Sequence, residues 1–248
     1  MRIAIIVHVF YPRLWPEVAK CIRSFSEYEY DVFVTLPETA AEGFEQVVCR
    51  EFSRTDVKRL PNRGFDVGPF VEVLHRIDLD RYDYVVKLHT KRNRFGVVNF
   101  MPLVGGQWRR KLLSFCRSPK DVGRCLELFA ANPKVGMVGN GELIMQPWDE
   151  LARNPEPRNE ADHRAFVAGT MFMVRAKPMK MVRDQVAFED FESTERQQTA
   201  SMAHDWERKL GYMLVEKGYE IVAYPAKGFV YRLLRPCLAL AYQLLFRN

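Results

Sequence analysis

The sequence predicts an α/β fold, a single-domain sandwich with a mostly parallel central sheet flanked by helices. Three observations predict it. The chain opens on a continuous apolar run, residues 3–9, the pattern of a strand buried on both faces of a parallel sheet. Short apolar runs then alternate with amphipathic stretches of helical length, the order that builds strand–helix–strand units. Of the 248 residues 48% are apolar, enough to fill a core and too many for a disordered chain. No Gly-, Ser- or Pro-rich linker, internal repeat or low-complexity tract divides the sequence.

The elements follow in order. The first strand ends at His8-Val9-Phe10-Tyr11-Pro12, where a nucleotide would lie against the aromatic ring. Residues 14–28 read as a helix, 30–36 as a second strand stopped by Pro37, and 45–52 as a short third strand near an edge. Residues 67–77 form a helix entered through Gly68-Pro69, where the missing N–H of proline matters little. Residues 82–88 make the central strand. Glycines and a lack of periodicity make 92–106 a mobile loop over the strand end. Residues 107–116 and 119–131 are helical, 135–138 is another buried strand, and 140–162 is irregular and proline-rich. Residues 166–174 read as a strand interrupted by Ala168-Gly169-Thr170, where a ligand can approach the backbone closely. A helix within 193–217 carries His204, Asp205, Glu207 and Arg208, and 219–224 closes the fold as a short strand.

A net charge of +6 suits an anionic partner: a nucleotide sugar, a lipid diphosphate, an anionic membrane or nucleic acid. Charge does not choose among them, but no nucleic-acid recognition motif is present, so no nucleic-acid partner is expected. The five cysteines are scattered, without zinc-like spacing, and read as buried thiols of a reducing compartment. The start is too short for a signal peptide, and no apolar run reaches the ~20 residues of a membrane span. The expected location is the cytoplasm, peripheral on the inner face of the cytoplasmic membrane. Residues 228–248 are apolar with interspersed arginines, and so suit a membrane interface or packing on the domain.

The most informative stretch runs from Asn62-Arg63-Gly64 through Asp66-Val67-Gly68-Pro69-Phe70 to Tyr82-Asp83-Tyr84-Val85 and Lys87-Leu88-His89-Thr90-Lys91. Ligands of open α/β sheets bind at the C-terminal ends of strands. A strand that runs out into Lys87, His89 and Lys91 is placed to hold an anion, most simply a diphosphate. A solvated loop is the plain alternative, and the Asn-Arg-Gly segment upstream tips the balance to the anion site. Further motifs are Val7-His8-Val9-Phe10-Tyr11-Pro12, Trp108-Arg109, Val135-Gly136-Met137-Val138-Gly139, Phe166-Val167-Ala168-Gly169-Thr170 and Ala203-His204 with Glu207-Arg208. In this order and spacing they resemble the rhamnan synthesis F family of bacterial cell-surface polysaccharide enzymes. Those enzymes look like inverting glycosyltransferases of the nucleotide-diphosphosugar (GT-A) type. The resemblance implies a GT-A-like glycosyltransferase domain over residues 1–227. It also implies a nucleotide-diphosphosugar donor, a lipid-linked glycan acceptor, and rhamnose or another deoxyhexose as the sugar.

It also distributes roles. Many GT-A enzymes hold a divalent cation with an Asp-x-Asp motif; the corresponding strand end here carries His89-Thr90-Lys91. Magnesium and manganese want oxygen ligands, so no metal and no other cofactor is expected, and Lys91, helped by Lys87 and Arg92, supplies the positive charge. His8, Tyr11, Asn62, Arg63, Asp66, Lys87, His89 and Lys91 fall on the donor side, with Arg63 as a planar phosphate clamp. Asp66 has two readings of equal weight, a cap for the helix that follows and a contact to the donor sugar or ribose. Thr170, Trp108 and Arg109 fall on the acceptor side, the last two as packing for the loop. For the base, His204 and Glu207 share one helix face while Asp205 points about a quarter-turn away; all three stay open, Glu207 first. The rival reading is a non-catalytic nucleotide-sugar or polyanion-binding protein on a decayed glycosyltransferase fold.

Overall fold

The computed structural model describes residues 1–92, 96–98, 101–103, 106–145, 165–193, 202–226 and 237. Its centre is a seven-stranded sheet built from β1 (Arg2–His8), β2 (Glu29–Pro37), β3 (Thr55–Leu60), β4 (Tyr84–His89), β7 (Val135–Gly139), β10 (Phe172–Arg175) and β11 (Glu220–Ala223). The spatial order is β11-β7-β10-β4-β1-β2-β3. All neighbours run parallel except β10, which is antiparallel to both β4 and β7. The α/β class with a mostly parallel sheet therefore holds.

Side-chain alternation splits the core into two layers. Ile3, Ile5 and Val7 of β1, with Val86 and Leu88 of β4, face α1 (Trp15–Arg23), α2 (Phe44–Glu51), α4 (Gln107–Leu112) and α5 (Pro119–Ala131). Ala4 and Ile6, with Val85 and Phe172, face α3 (Val67–Arg76), α6 (Met179–Arg183) and α7 (Met202–Glu216). The chain passes from β1 outward to β2 and β3, then returns through α3 to lay β4 on the other side of β1. That reversal leaves a crevice at the C-terminal ends of β1 and β4, where open sheets of this kind bind ligands.

Four expectations change. Residues 45–52 are helix, not strand: Phe44, Val48 and Phe52 recur every four residues and pack on the core, which is the helical period. The third strand is instead β3, an edge strand whose half-exposed, charge-bearing sequence hides a period of two. Residues 166–174 belong to two strands in two sheets: β9 (Phe166–Val167) pairs with β8 (Ile144–Met145), while β10 joins the main sheet. Within 92–106 an antiparallel hairpin, β5 (Gly96–Val98) and β6 (Met101–Leu103), replaces part of the aperiodic loop; strands of three residues are too short to show a pattern. The irregular stretch beyond residue 145 and nearly all of 228–248 lie outside the described residues. Of the five free cysteines, Cys21, Cys116 and Cys125 are buried, whereas Cys49 and Cys237 are exposed, contrary to the expectation that all are core thiols.

Candidate functional site

On the α3 side of the sheet a polar row crosses the strand ends. His8 of β1 is in register with Thr35 of β2 on one side and His89 of β4 on the other. His8 Nδ1 lies 3.0 Å from Thr35 Oγ1, and that hydroxyl is directed at the Val7 carbonyl, 3.4 Å away. The hydroxyl thus accepts from His8 Nδ1–H, which leaves Nε2 as the bare nitrogen. His8 Nε2 and both His89 ring nitrogens are buried without a hydrogen-bond partner among the described residues. Burial pulls the His8 pKa down to about 4, and it holds His89 well below the usual histidine value; Asp66 opposes both shifts without reversing them. Both rings are neutral at pH 7.

Beside this row stands Lys87, 1% exposed. Its Nζ donates to the Asp66 carboxylate, to the Thr170 carbonyl at 3.1 Å and to Thr170 Oγ1 at 2.8 Å. The Thr170 hydroxyl in turn donates to the same Asp66 oxygen. An ammonium has three N–H groups, and all three are in use. Lys87 therefore keeps no donor for a ligand, which removes it from the anion-facing set expected at the strand end.

Asp66 takes neither of its two expected roles in simple form. It occupies the N-cap position of α3, but its side chain accepts no helix N–H. Its carboxylate goes to Lys87 and Thr170 instead, with His89 Nδ1 at 3.4 Å outside hydrogen-bond geometry. Burial by itself would raise this carboxyl; His89 once protonated in acid, with Lys87 and Lys91 at acid and neutral pH alike, outweighs it, and Asp66 is held well below the usual carboxylate range.

Above this buried floor lies a cavity of about 160 Å³, lined by Phe65, Asp66, Lys91, Thr170, His204 and Glu207 among others. Two left-handed turns frame it, Gly64-Phe65 (φ 63° and 53°) and Gly169-Thr170 (φ 81° and 50°). Left-handed backbone costs an L-residue roughly 1–2 kcal/mol, and for a β-branched threonine it is a genuine outlier. The glycines are required as well: a Cβ on Gly169 would meet Leu112 at 2.6 Å, and one on Gly64 would meet Phe191 at 2.6 Å. The Gly169 N–H donates to Glu207 Oε1 at 2.6 Å. The Phe65 ring meets His204 edge-on, centroids 5.7 Å apart, and Lys91 Nζ sits 5.9 Å from the centre of the Trp108 ring.

Tertiary structure thus brings Asp66, Lys91, Thr170, His204 and Glu207 to one cavity and puts His8, Lys87 and His89 beneath it. Other candidates fall elsewhere. Arg63 does not line the cavity; its Nη1 donates to the carbonyls of Phe191 (3.2 Å) and Glu189 (3.4 Å). Arg109 pairs with Glu17 at 2.7 Å, tying α4 to α1, and Trp108 is buried in the core. Asp205 is exposed on α7 and does not line the cavity. Tyr11 lies at the end of β1, its N–H on Thr90 Oγ1 at 2.8 Å and its ring 5.1 Å from the Arg92 guanidinium. Asn62 is half-buried in the loop leading to Gly64. Sequence reading missed Phe65 and the Gly169 N–H; the glycine before each left-handed residue was the visible signal.

The two carboxylates of the cavity are already engaged, Asp66 by an ammonium and a hydroxyl, Glu207 by a backbone N–H. Among the described residues no three His, Cys, Asp or Glu side chains are grouped to hold a metal, and Lys91 lines the same space.

Comparison with known proteins assigns the chain. The model of the rhamnan synthesis protein F family matches residues 1–219, and the chain belongs to that family. It is similar to the uncharacterized protein WxcX of Xanthomonas campestris pv. campestris strain B100, 23% identical over 201 residues. That alignment covers 77% of this chain and 28% of WxcX, so the chain spans just over a quarter of the curated relative's length. The WxcX of strain ATCC 33913 aligns to the same extent. Among solved structures, the crystal structure of galactosyltransferase LgtC with donor and acceptor sugar analogs aligns over 90% of this chain and 73% of that one. The TM-score is 0.44 at 9% identity.

Proposed function

We propose that the chain is an inverting glycosyltransferase of the GT-A type. It moves a sugar, rhamnose or another deoxyhexose, from a nucleotide diphosphosugar to a growing lipid-linked cell-surface polysaccharide. One observation carries this reading: a member of a rhamnan synthesis family sets an ammonium, Lys91, and a carboxylate, Glu207, around one cavity beyond the C-terminal end of β4. As the bond from the sugar to the diphosphate breaks, negative charge grows on the leaving group, and Lys91 offsets it. The acceptor hydroxyl attacks from the opposite side and passes its proton to Glu207, whose other oxygen is fixed by the Gly169 N–H. His204 stands beside that carboxylate on the same cavity wall. The charge of Lys91 takes the place of a divalent metal.

The test is turnover. Purified protein is given a panel of nucleotide diphosphosugars and a membrane extract holding lipid-linked glycan, and transfer is followed by released nucleotide diphosphate and by the anomeric configuration of the product. Tight donor binding without turnover would move the protein to the non-catalytic reading, and a retained configuration would exclude the single displacement.

Residues 228–248 complete the proposal by holding the enzyme at the inner face of the cytoplasmic membrane, where a lipid-linked acceptor is presented. Among the described residues no helix is long and apolar enough to cross a membrane. Deleting that segment is expected to release the protein from anionic vesicles and leave its thermal transition intact. Loss of the transition would show that the segment packs in the core.

A further inference from the structure

Lys87 is the cation of the strand end for which the transfer chemistry has no use. It is buried, its three N–H groups are taken, and its acceptors come from two chain segments far apart in sequence: Asp66 follows the Gly64-Phe65 turn, and Thr170 ends the Gly169-Thr170 turn. Both turns hold a non-glycine residue in the left-handed region, and both line the cavity. Such backbone persists only where its surroundings over-determine it. The Lys87 ammonium binds both segments at once, beside the direct bond from the Thr170 hydroxyl to Asp66. Without it the Asp66 carboxylate and the Thr170 carbonyl would be held close with no positive charge between them.

We propose that Lys87 is a positioning residue: its ammonium clasps Asp66 to Thr170, holds the Gly169-Thr170 turn in its left-handed form, and so fixes the Gly169 N–H that aims Glu207 into the cavity. Each link is a contact. Lys87 reaches both the carbonyl and the hydroxyl of Thr170, so it restrains the backbone as well as the side chain. The preceding residue supplies the N–H, 2.6 Å from Glu207 Oε1. If the clasp opens, Thr170 relaxes toward ordinary backbone, the Gly169 N–H turns away, and the carboxylate loses its fixed partner. Lys91 comes from the strand exit and not from either turn, so donor binding survives.

The kinetic half of this inference rests on the glycosyl-transfer reading; the structural half does not. Lys87→Met removes the charge and keeps the stem. Amide hydrogen exchange over residues 168–171 is expected to accelerate about tenfold or more, while the β1 amides stay protected. With an active donor, kcat is expected to fall about a hundredfold and donor KM to stay within about threefold, the split of a group that acts on the transition state alone. Thr170→Ser, which keeps the hydroxyl, should behave nearly as wild type, and Thr170→Val should fall between. Should Lys87→Met fail to fold, the charge-balanced Asp66→Asn/Lys87→Met variant and the Thr170 pair supply the same readouts. Unchanged exchange at 168–171 overturns the clasp, as does a donor KM raised about tenfold with kcat preserved, which would make Lys87 a donor ligand. Wild-type protein inactive with every donor would sink the transfer reading alone, and the exchange measurement would still decide the clasp.

Discussion

Lys87 and Lys91 leave the same strand four positions apart, and their surroundings give them opposite work. Lys87 is sealed under the cavity with every proton bonded to the protein. Lys91 is half-buried, lines the cavity and stands over the Trp108 ring. The same contrast runs through the carboxylates: Asp66 is bound to an ammonium and a hydroxyl, while Glu207 lines the cavity and accepts from a backbone N–H. A run of basic residues at a strand end is thus not one pool of charge. Burial divides it into a floor that fixes geometry and a rim that can meet a ligand.

The division predicts that rim substitutions change rate and leave stability alone, whereas floor substitutions change stability first. The largest effect is expected at Glu207. Glu207→Gln should lower turnover by about 10²–10⁴-fold, the usual range for a lost general base, with donor affinity nearly intact. Near-normal turnover would hand the role to His204. Next comes Lys91→Ala, with a rate loss of roughly a hundredfold or more, the scale seen when a preorganised charge-stabilising group goes. Its thermal transition should match wild type. Turnover should also persist in excess EDTA; if EDTA stops the reaction and manganese restores it, a metal and not Lys91 stabilises the leaving group.

The floor is read by stability. Lys87→Met leaves the part-buried Asp66 without its counter-charge and should lower unfolding free energy by about 3 kcal/mol, the low end for a broken buried pair, measured by denaturant titration. A stability loss at Lys91 as large as this would erase the distinction between floor and rim. The smallest effect is the acid response of the histidines. His8 titrates at about 4 in the fold against 6.5 unfolded, so between those values the unfolded chain binds more protons. Stability from this ring is complete above pH 6.5 and is lost as pH falls toward 4, by about 3 kcal/mol in all. His89 adds a loss of the same sign. The slope of unfolding free energy over that interval should flatten in His8→Asn, and an unchanged slope would place the titrating group elsewhere.

Much of this was legible in the amino-acid order. The buried parallel strands declared themselves as unbroken apolar runs, because a strand covered on both faces needs no polar alternation. The crevice was legible too, since chain order places the ends of β1 and β4 where ligands bind in such sheets. Lys91, His204 and Glu207 could be singled out as chemistry-bearing groups on a strand exit and one helix face. Helix α2 reads as a strand and edge strand β3 goes unseen, because an eight-residue helix shows barely two turns of its period and a half-exposed strand has little apolar contrast.

Sequence determined which residues bear charge and roughly which end of the sheet they reach. Only tertiary structure decided what each charge does. Whether a lysine faces a ligand or a carboxylate of the protein depends on which segments fold over it, and the partners of Lys87 come from residues 66 and 170, on separate connections of the sheet. Desolvation then settles the outcome, since a buried ammonium must be paired whereas a half-exposed one need not be. Backbone handedness is the other tertiary decision. Phe65 and Thr170 have no intrinsic preference for the left-handed region, and only the contacts around them keep them there.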